Sequence, residues 1–429
     1  MNVPKIEVGA DSLWRHRNFR RFWSAQGVSE LGDRVTELAL PLIAVILLDA
    51  SPTQVGVLTA VVWLPNLASL FIGAWVEQHR HKRRLMIAAD LFRAAALLSI
   101  PVTYWAGALT MPQLYAVAML TGVGDVVFST AYPSFFAHLV TERQYLQANS
   151  KLSTTRSGSF IAGPAIAGVL VQVLSAPITI CLDAASFCFS ALQVNRVTST
   201  DAEPDVGDTS LIRRARAGVS YVVRHPYLRD SLGCATTMNF FNFIGATLLV
   251  LFANRILGLS AGIIGVAFGI GASGGAVGAM CIGRLTRRFG VGRVIAFGAL
   301  VFPSAIAIAA AAQGQLWVRA MALAIAEFVG GFAVMCFDIP HNSLRTIVTP
   351  DSMRSRVAGG YSTINYGIRP VGAVVGGLLA DWIGVRATLL VSATGGILAL
   401  QWLIRSPILR LLDLGDVQSP RATAAAAEH

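Results

Sequence analysis

The chain has 429 residues, of which 54% are hydrophobic and 13% charged, against roughly 25% charged in an ordinary soluble domain. Long apolar runs recur from end to end, which excludes a soluble globular protein and gives a polytopic membrane protein. The net charge of +11 comes from basic clusters between those runs, so it calls for no nucleic-acid partner.

The opening residues, MNVPKIEVGADSLWRHRNFRRFW, lack the basic start, apolar core and small-residue cleavage site of a secretory signal. The first apolar span is therefore expected to act as the insertion signal. Runs of about 20 apolar residues predict twelve spans. They are Phe22 to Leu48, Val55 to Trp75, Leu85 to Ala106, Gln113 to Phe136, Ser157 to Leu174, Ile178 to Val194, Leu232 to Ala253, Ile263 to Ile282, Val294 to Ala312, Trp317 to Ile339, Gly360 to Trp382 and Thr388 to Leu403. Between the sixth and seventh lies NRVTSTDAEPDVGDTS, polar and rich in turn formers, followed by LIRRARAGVSYVVRH, which reads as an amphipathic helix at the membrane surface.

Basic residues orient the chain. Arg15, Arg17, Arg20 and Arg21, then Arg80, Lys82, Arg83 and Arg84, then Arg213, Arg214, Arg216 and Arg224 fall on one side of twelve alternating spans. So do Arg284, Arg287, Arg288, Arg293, Arg345, Arg354 and Arg356, while the opposite loops hold only Arg255, Arg319 and Arg386. Both termini and the Thr200 to Thr209 stretch are expected in the cytoplasm. Cys181, Cys188, Cys234, Cys281 and Cys336 all lie in apolar segments, as small hydrophobes rather than a disulfide framework, and show no metal-ligand spacing.

The chain repeats itself. Aligning NFRRFW at Asn18 with YLRDSL at Tyr227 carries SPTQVGV onto SAGIIGV without a gap, and AYPSFFAHLVT resembles DIPHNSLRTIVT. The expected organisation is an all-α membrane protein of twelve transmembrane helices in two pseudo-symmetric six-helix halves. Its segments are an N-terminal stretch (1–21), a first half (22–195), a linker with an amphipathic helix (196–228), a second half (229–405) and a tail (406–429). Duplicated six-helix halves are a transporter architecture, with binding near the midplane between them.

The segment after the second span resembles motif A of the major facilitator superfamily: Gly73, Glu77 at the acidic position, and Lys82 and Arg83 in the basic run. Its second copy keeps Gly283, Gly290 and Arg293 but has Arg287 at the acidic position. In the fifth span, GSFIAGPAIAG resembles motif C of the antiporter branch, with Gly158, Gly163, Pro164 and Gly168. Over nearly its whole length the chain is similar to this superfamily, and specifically to its bacterial proton-coupled exporters, which include enterobactin and macrolide efflux proteins. The resemblance implies the major facilitator fold, a bacterial inner-membrane location and a central cavity lined by the first, fourth, seventh and tenth helices. Motif A is then a conformational latch whose acid and bases hold neighbouring helix ends.

Charges inside the spans are the candidate site. Glu30, Asp33, Arg34 and Glu37 share an arc of about 100° on the first span, a face too polar to meet lipid. Asp125 in the fourth span, Glu327 in the tenth and Arg369 in the eleventh lie near mid-segment. The repeat sets Glu30 against Asn239 and Asp33 against Asn242, so the second half keeps polarity without an acid. Asp33, Glu37, Asp125 and Glu327 are the proton-coupling candidates, and Glu30, Arg34, Asn239, Asn242 and Arg369 line the substrate cavity. Arg34 is expected to pair with Asp125 or its flanking glutamates, and Arg369 with Glu327. Asp90 with Arg93 reads as a pair at the end of the third span, and Asp183 and Arg156 as structural.

The function implied is a secondary active transporter, not an enzyme. It would export a small amphipathic organic compound (a drug, antibiotic or siderophore) by proton antiport through alternating access. Its partners would be the bilayer, that small molecule and protons, with no cofactor and no metal, and a monomer is expected. A passive facilitator or importer, or a lysophospholipid flippase of the same fold, is the alternative.

Overall fold

A computed structural model gives the fold and describes residues 13–137, 139–197, 211–350 and 353–415. The Thr200 to Thr209 stretch, whose side of the membrane was assigned from charge, lies outside the described residues. All regular structure among the described residues is helical. The first group is α1 (Arg17–Leu42), α2 (Pro52–Trp63), α3 (Ser69–Glu77), α4 (Lys82–Trp105), α5 (Met111–Ala137), α6 (Glu142–Leu174) and α7 (Ala176–Asn195). After the linker helix α8 (Leu211–Arg224) come α9 (Pro226–Leu251), α10 (Ala261–Phe289), α11 (Val291–Ser304), α12 (Ile306–Ala310), α13 (Leu316–Val348), α14 (Arg354–Ile383), α15 (Val385–Gly396) and α16 (Leu400–Ile404).

Local chemistry sets several boundaries. α2 starts on a capping box: Ser51 Oγ accepts from the Gln54 backbone N–H, and Gln54 Oε1 accepts from that of Ser51. The second expected span is bent by 52° where α2 gives way, through the tight turn Leu64–Ala68 with Pro65, to α3. The ninth is split into α11 and α12 just after Pro303. The fifth begins earlier than its apolar core, because residues 142–156 continue α6 as a polar extension.

Nine helices among the described residues are long and apolar enough to cross a membrane, and the bent pair α2 and α3 makes a tenth. α1 and α14 are long enough but too polar to qualify by composition alone. Both sit inside the bundle, α1 against α6 and α7, and α14 against α9 and α2.

The cores show how the two groups meet. At the end carrying residues 13–22 and α8, the linker end, there are two separate clusters. One is built from α1, α4, α5 and α7 around Phe22, Phe135 and Phe136, the other from α9, α11, α13 and α14 around Phe337 and Tyr361. At the far end a single cluster joins both groups, running from Leu42 and Val45 through Val171 to Leu251 and Ala267. Glycines make this closure tight: a Cβ on Gly168 of α6 would lie 2.6 Å from the Ala261 carbonyl oxygen and 2.8 Å from Gly265 Cα on α10. Polar ties add to it. Arg255 meets Asp49 at 2.6 Å and donates to the Val45 carbonyl at 2.9 Å, Asp381 accepts from the Thr53 N–H at 3.1 Å, and Gln172 Oε1 accepts from the Gly262 N–H at 2.9 Å. The two groups thus share one core at the far end and keep separate cores at the linker end.

The linker helix does more than rest on a surface. It packs on α14 and α9, with Val222 fully buried and Gly218 set against the Arg356 carbonyl.

Candidate functional site

The centre of the first group is Arg93 on α4. Its side chain is 3% exposed, and its guanidinium donates to Asp90 Oδ1, one helical turn back, at 2.7 Å. One of its terminal nitrogens also lies 3.7 Å from Asp33 on α1 and 3.6 Å from Asp125 on α5. Its face rests on Phe187 of α7, 3.9 Å to the ring centre. Sequence reading placed Arg93 and Asp90 in an end-of-helix pair; the structure makes Arg93 the shared partner of acids from three helices.

Two glycines open the space. A Cβ on Gly124 would sit 2.5 Å from Arg93 Cγ, and one on Gly32 would sit 2.2 Å from Asp183 Oδ1. Asp183 is thereby admitted to the face of α1, where it accepts from the Thr36 hydroxyl and, at 3.0 Å, from Ser186. Asp90 and Asp183 are almost wholly enclosed, whereas the Asp33 and Asp125 side chains are 36% and 61% exposed. An exposed carboxylate at mid-span is tolerable only beside water, so both call for a watery space rather than lipid.

The other charges of α1 turn elsewhere. Glu30 lies 3.5 Å from Arg156 of α6. Arg34 pairs with Glu37 at 2.5 Å, not with Asp125, and its stem passes over Gly163, where a Cβ would come within 2.5 Å. Arg34 is directed toward Gly163 and Phe160 of α6, and it is Arg93 that reaches both Asp33 of α1 and Asp125 of α5.

In the second group Arg369 of α14 does not meet Glu327. Its Nε donates to Asn239 Oδ1 of α9 at 3.2 Å, while the Asn239 amide donates to Asn365 Oδ1 at 3.1 Å and to the Ala235 carbonyl at 3.0 Å. The guanidinium lies 4.3 Å from the ring centre of Trp63, 4.3 Å from that of Tyr366 and 5.0 Å from that of Phe243. Trp63 belongs to α2, so this contact crosses between the groups. Glu327 instead faces α10, its Oε2 within 3.2 Å of where a Cβ on Gly271 would be, and makes no ion pair among the described residues. Asn242 is half-buried on α9.

The motif residues divide. Lys82 is buried and its Nζ donates to the Val76 and Glu77 carbonyls at 2.6 and 3.0 Å, closing the end of α3. Arg83 donates to the Val197 carbonyl at 2.8 Å beyond α7. Gly290 takes φ +87° at the α10–α11 turn, a conformation that favours glycine, and Arg293 beside it is exposed. Gly163 and Gly168 sit at close approaches, with the Pro164 carbonyl against Gly265; Gly158 and Gly283 face open space, and Gly73 has only a Thr130 methyl at 3.6 Å.

A signal for the Arg93 centre is present in the sequence. Gly32-Asp33 followed by Pro41 recurs as Gly124-Asp125 followed by Pro133, each 92 residues on, and Asp90 with Arg93 recurs as Asp183 with Ser186 after 93. The repeat inside the first half thus brings two Gly-Asp helices and two Asp-x-x helices around one arginine.

The chain matches the family model described as "transmembrane secretion effector" over residues 10–424. It is 23% identical over 380 residues to the MFS-type transporter YfiS of Bacillus subtilis, covering 86% of this chain and 88% of that one. With the multidrug efflux pump Tap of Mycolicibacterium fortuitum it shares 24% over 396 residues, 90% of this chain and 94% of the relative. Among solved structures, a bacterial homologue of the iron transporter ferroportin superposes with TM-score 0.70 at 15% identity, covering 91% and 99% of the two chains. A bacterial homologue of the lysosomal transporter Spinster gives 0.68 at 14%, covering 94% and 97%. With a helical bundle of this shape and a family match over nearly its whole length, the chain belongs to the transmembrane secretion effectors, a family of major facilitator superfamily transporters.

Proposed function

We propose that the protein is a secondary active exporter that expels a small amphipathic organic compound in exchange for protons. The observation that carries this reading is the Arg93 centre: one guanidinium serves Asp33, Asp90 and Asp125, and two of the three carboxylates are exposed at mid-span, which we read as facing a watery gap between the groups. One positive charge does not neutralise three acids in a bilayer interior, and a proton on Asp33 or Asp125 is the least costly remedy. Because α1, α4 and α5 each supply a member, a change in their packing alters how Arg93 is shared, and with it which acid holds a proton.

The rest of the reading follows. α1 and α14 count as spans by their packing, giving twelve, in halves 22–195 and 229–405 joined by 196–228. The basic residues set the linker end and both termini in the cytoplasm, so the conformation with a shut far end is the one open to the cytoplasm. The second half offers Asn239 and Asn242 where the first has acids, so proton traffic is assigned to the first half. The name borne by the relative Tap supports export of drug-like cargo from a bacterial cell membrane. One proton moved down the potential supplies about 2.3 kcal/mol per 100 mV, enough for roughly a fiftyfold cargo gradient at that voltage.

The test uses inside-out membrane vesicles acidified by respiration and followed with a pH-quenched acridine dye, into which a panel of amphipathic drugs is added one at a time. At least one drug should release protons and restore fluorescence with the parental protein, and should fail to do so with the Asp33→Asn, Asp125→Asn double variant. Carrier-mediated exchange of a panel drug with no proton movement would make the protein a passive facilitator.

A further inference from the structure

Among the described arginines near mid-span, Arg369 differs from Arg93 and Arg34 in lacking a carboxylate partner at ion-pair distance. Arg93 has three carboxylates within 3.7 Å and Arg34 has Glu37 at 2.5 Å. Arg369 has no carboxylate at ion-pair distance among the described residues; the acid whose charge reaches it, Asp338 of α13, lies beyond that distance. Only its Nε is engaged, by Asn239 at 3.2 Å, and that contact is fixed in direction because both hydrogens of the Asn239 amide are already donated, to Asn365 and Ala235. The flat faces of the guanidinium are covered by Trp63, Tyr366 and Phe243. Its two terminal nitrogens, the fork that binds a carboxylate or phosphate through two parallel hydrogen bonds, have no acceptor among the described residues.

The placement is built into the helices. On α14, Gly372 and Gly376 let the backbone approach the Phe240 and Ile244 carbonyls of α9, within 2.6 and 2.4 Å of where a Cβ would be, which carries Arg369 to Asn239 and Phe243. The bend after Trp63 is shared by both halves. Pro65 within it packs on Gly122, one turn before Asp125, and Leu67 just beyond it lies against Gly367, two residues before Arg369. Arg369 and the acids around Arg93 therefore flank the same break in α2.

We propose that Arg369 seats an anionic group of the cargo, a carboxylate or phosphate, with the cargo's flat apolar part against Trp63, Tyr366 and Phe243. This rests on the reading of the gap as a cargo site and adds its charge class. An anion leaving the cell moves with the inside-negative potential, so such a cargo adds to the drive that protons supply.

The test is equilibrium binding to the purified full chain in lipid nanodiscs, read by quenching of tryptophan fluorescence. The probes are naphthoate, its neutral analogue naphthamide, the cation naphthylmethylammonium, and lysophosphatidylglycerol as the lipid-borne anion. Naphthoate should bind about tenfold or more tightly than naphthamide, and the cation more weakly than either. Arg369→Gln should abolish that preference, bringing naphthoate to the affinity that naphthamide shows for the same variant; Arg369→Lys, which keeps the charge but not the fork, should retain part of it. Lysophosphatidylglycerol competing with naphthoate assigns the anion to lipid cargo, and absence of competition assigns it to a small carboxylate. Equal binding of the three naphthyl probes, preference for the cation, or no naphthoate binding at millimolar concentration overturns the proposal. Because no proton gradient is present, the charge preference can hold while proton-driven export fails, and the reverse, so the two readings fall separately.

Discussion

Arg93 shows how a single side chain is made tolerable inside a bilayer. Its charge is met by Asp90 at 2.7 Å, its face by Phe187, and its stem by the missing side chain of Gly124. Asp90 is 0% exposed, so removing Arg93 leaves it a buried, uncompensated charge costing about 3 to 5 kcal/mol, whereas removing Asp90 leaves Arg93 still facing Asp33 and Asp125. Arg93→Gln should therefore lower the melting temperature of the purified protein sharply, and Asp90→Asn by less. The double variant should be less damaged than the sum, with a coupling of about 0.5 to 3 kcal/mol. Strict additivity would mean that the pair contributes no mutual stabilisation. At this scale the sequence was only partly legible. Periodicity finds which side of α1 is polar, but a partner on another helix leaves no mark in the periodicity of either. Arg369 illustrates it: it was assigned Glu327 by sequence depth and turned instead to Asn239, Trp63 and Phe243 on neighbouring helices, whereas Arg34 meets Glu37 on its own helix, one of the flanking glutamates its periodicity offered. The 92-residue echo of Gly-Asp is the sequence mark that the first reading passed over, and it sets two acids on equivalent helices of one half.

At the scale of elements, the apolar runs located the helices well because crossing a bilayer demands a long apolar stretch with its hydrogen bonds satisfied internally. The breaks were less legible. The turn after Trp63 and the split after Pro303 depend on packing as well as on proline, since Pro133, Pro164 and Pro340 lie within unbroken helices. Motif C divides in the same way, with Gly168 at a backbone crossing and Gly158 in open space. Gly168→Leu should therefore push α6 from α10 and loosen the far end, whereas Gly158→Leu should do little. A cysteine placed at Val171, within the far-end core, reports this in a background lacking the native cysteines. Its labelling by a membrane-impermeant maleimide should rise about tenfold with Gly168→Leu, a population shift of about 1.4 kcal/mol. Unchanged labelling would mean that the α6–α10 crossing does not hold the far end shut.

For the whole molecule, one core at the far end and two at the linker end fit the alternating access proposed above, in which the closed end is exchanged. The far-end ties suit that exchange. Asp49 is 93% exposed in its pair with Arg255, and such surface pairs are worth about 0 to 1 kcal/mol, so the tie can be broken and remade in each cycle. What biases the exchange, in this account, is the proton shared around Arg93. The most direct measurement is accumulation of a panel drug that moved protons in the vesicle assay, in proteoliposomes under an imposed pH gradient, compared across four substitutions of equal shape. Asp33→Asn and Asp125→Asn should each abolish gradient-driven accumulation while leaving exchange at equal concentrations intact. Glu37→Gln, in its local pair with Arg34, and Glu327→Gln, against α10, should pump at nearly the parental rate. Parental pumping by Asp33→Asn, Asp125→Asn and their double variant, or loss of pumping confined to Glu327→Gln, would contradict the assignment of coupling to the Arg93 centre.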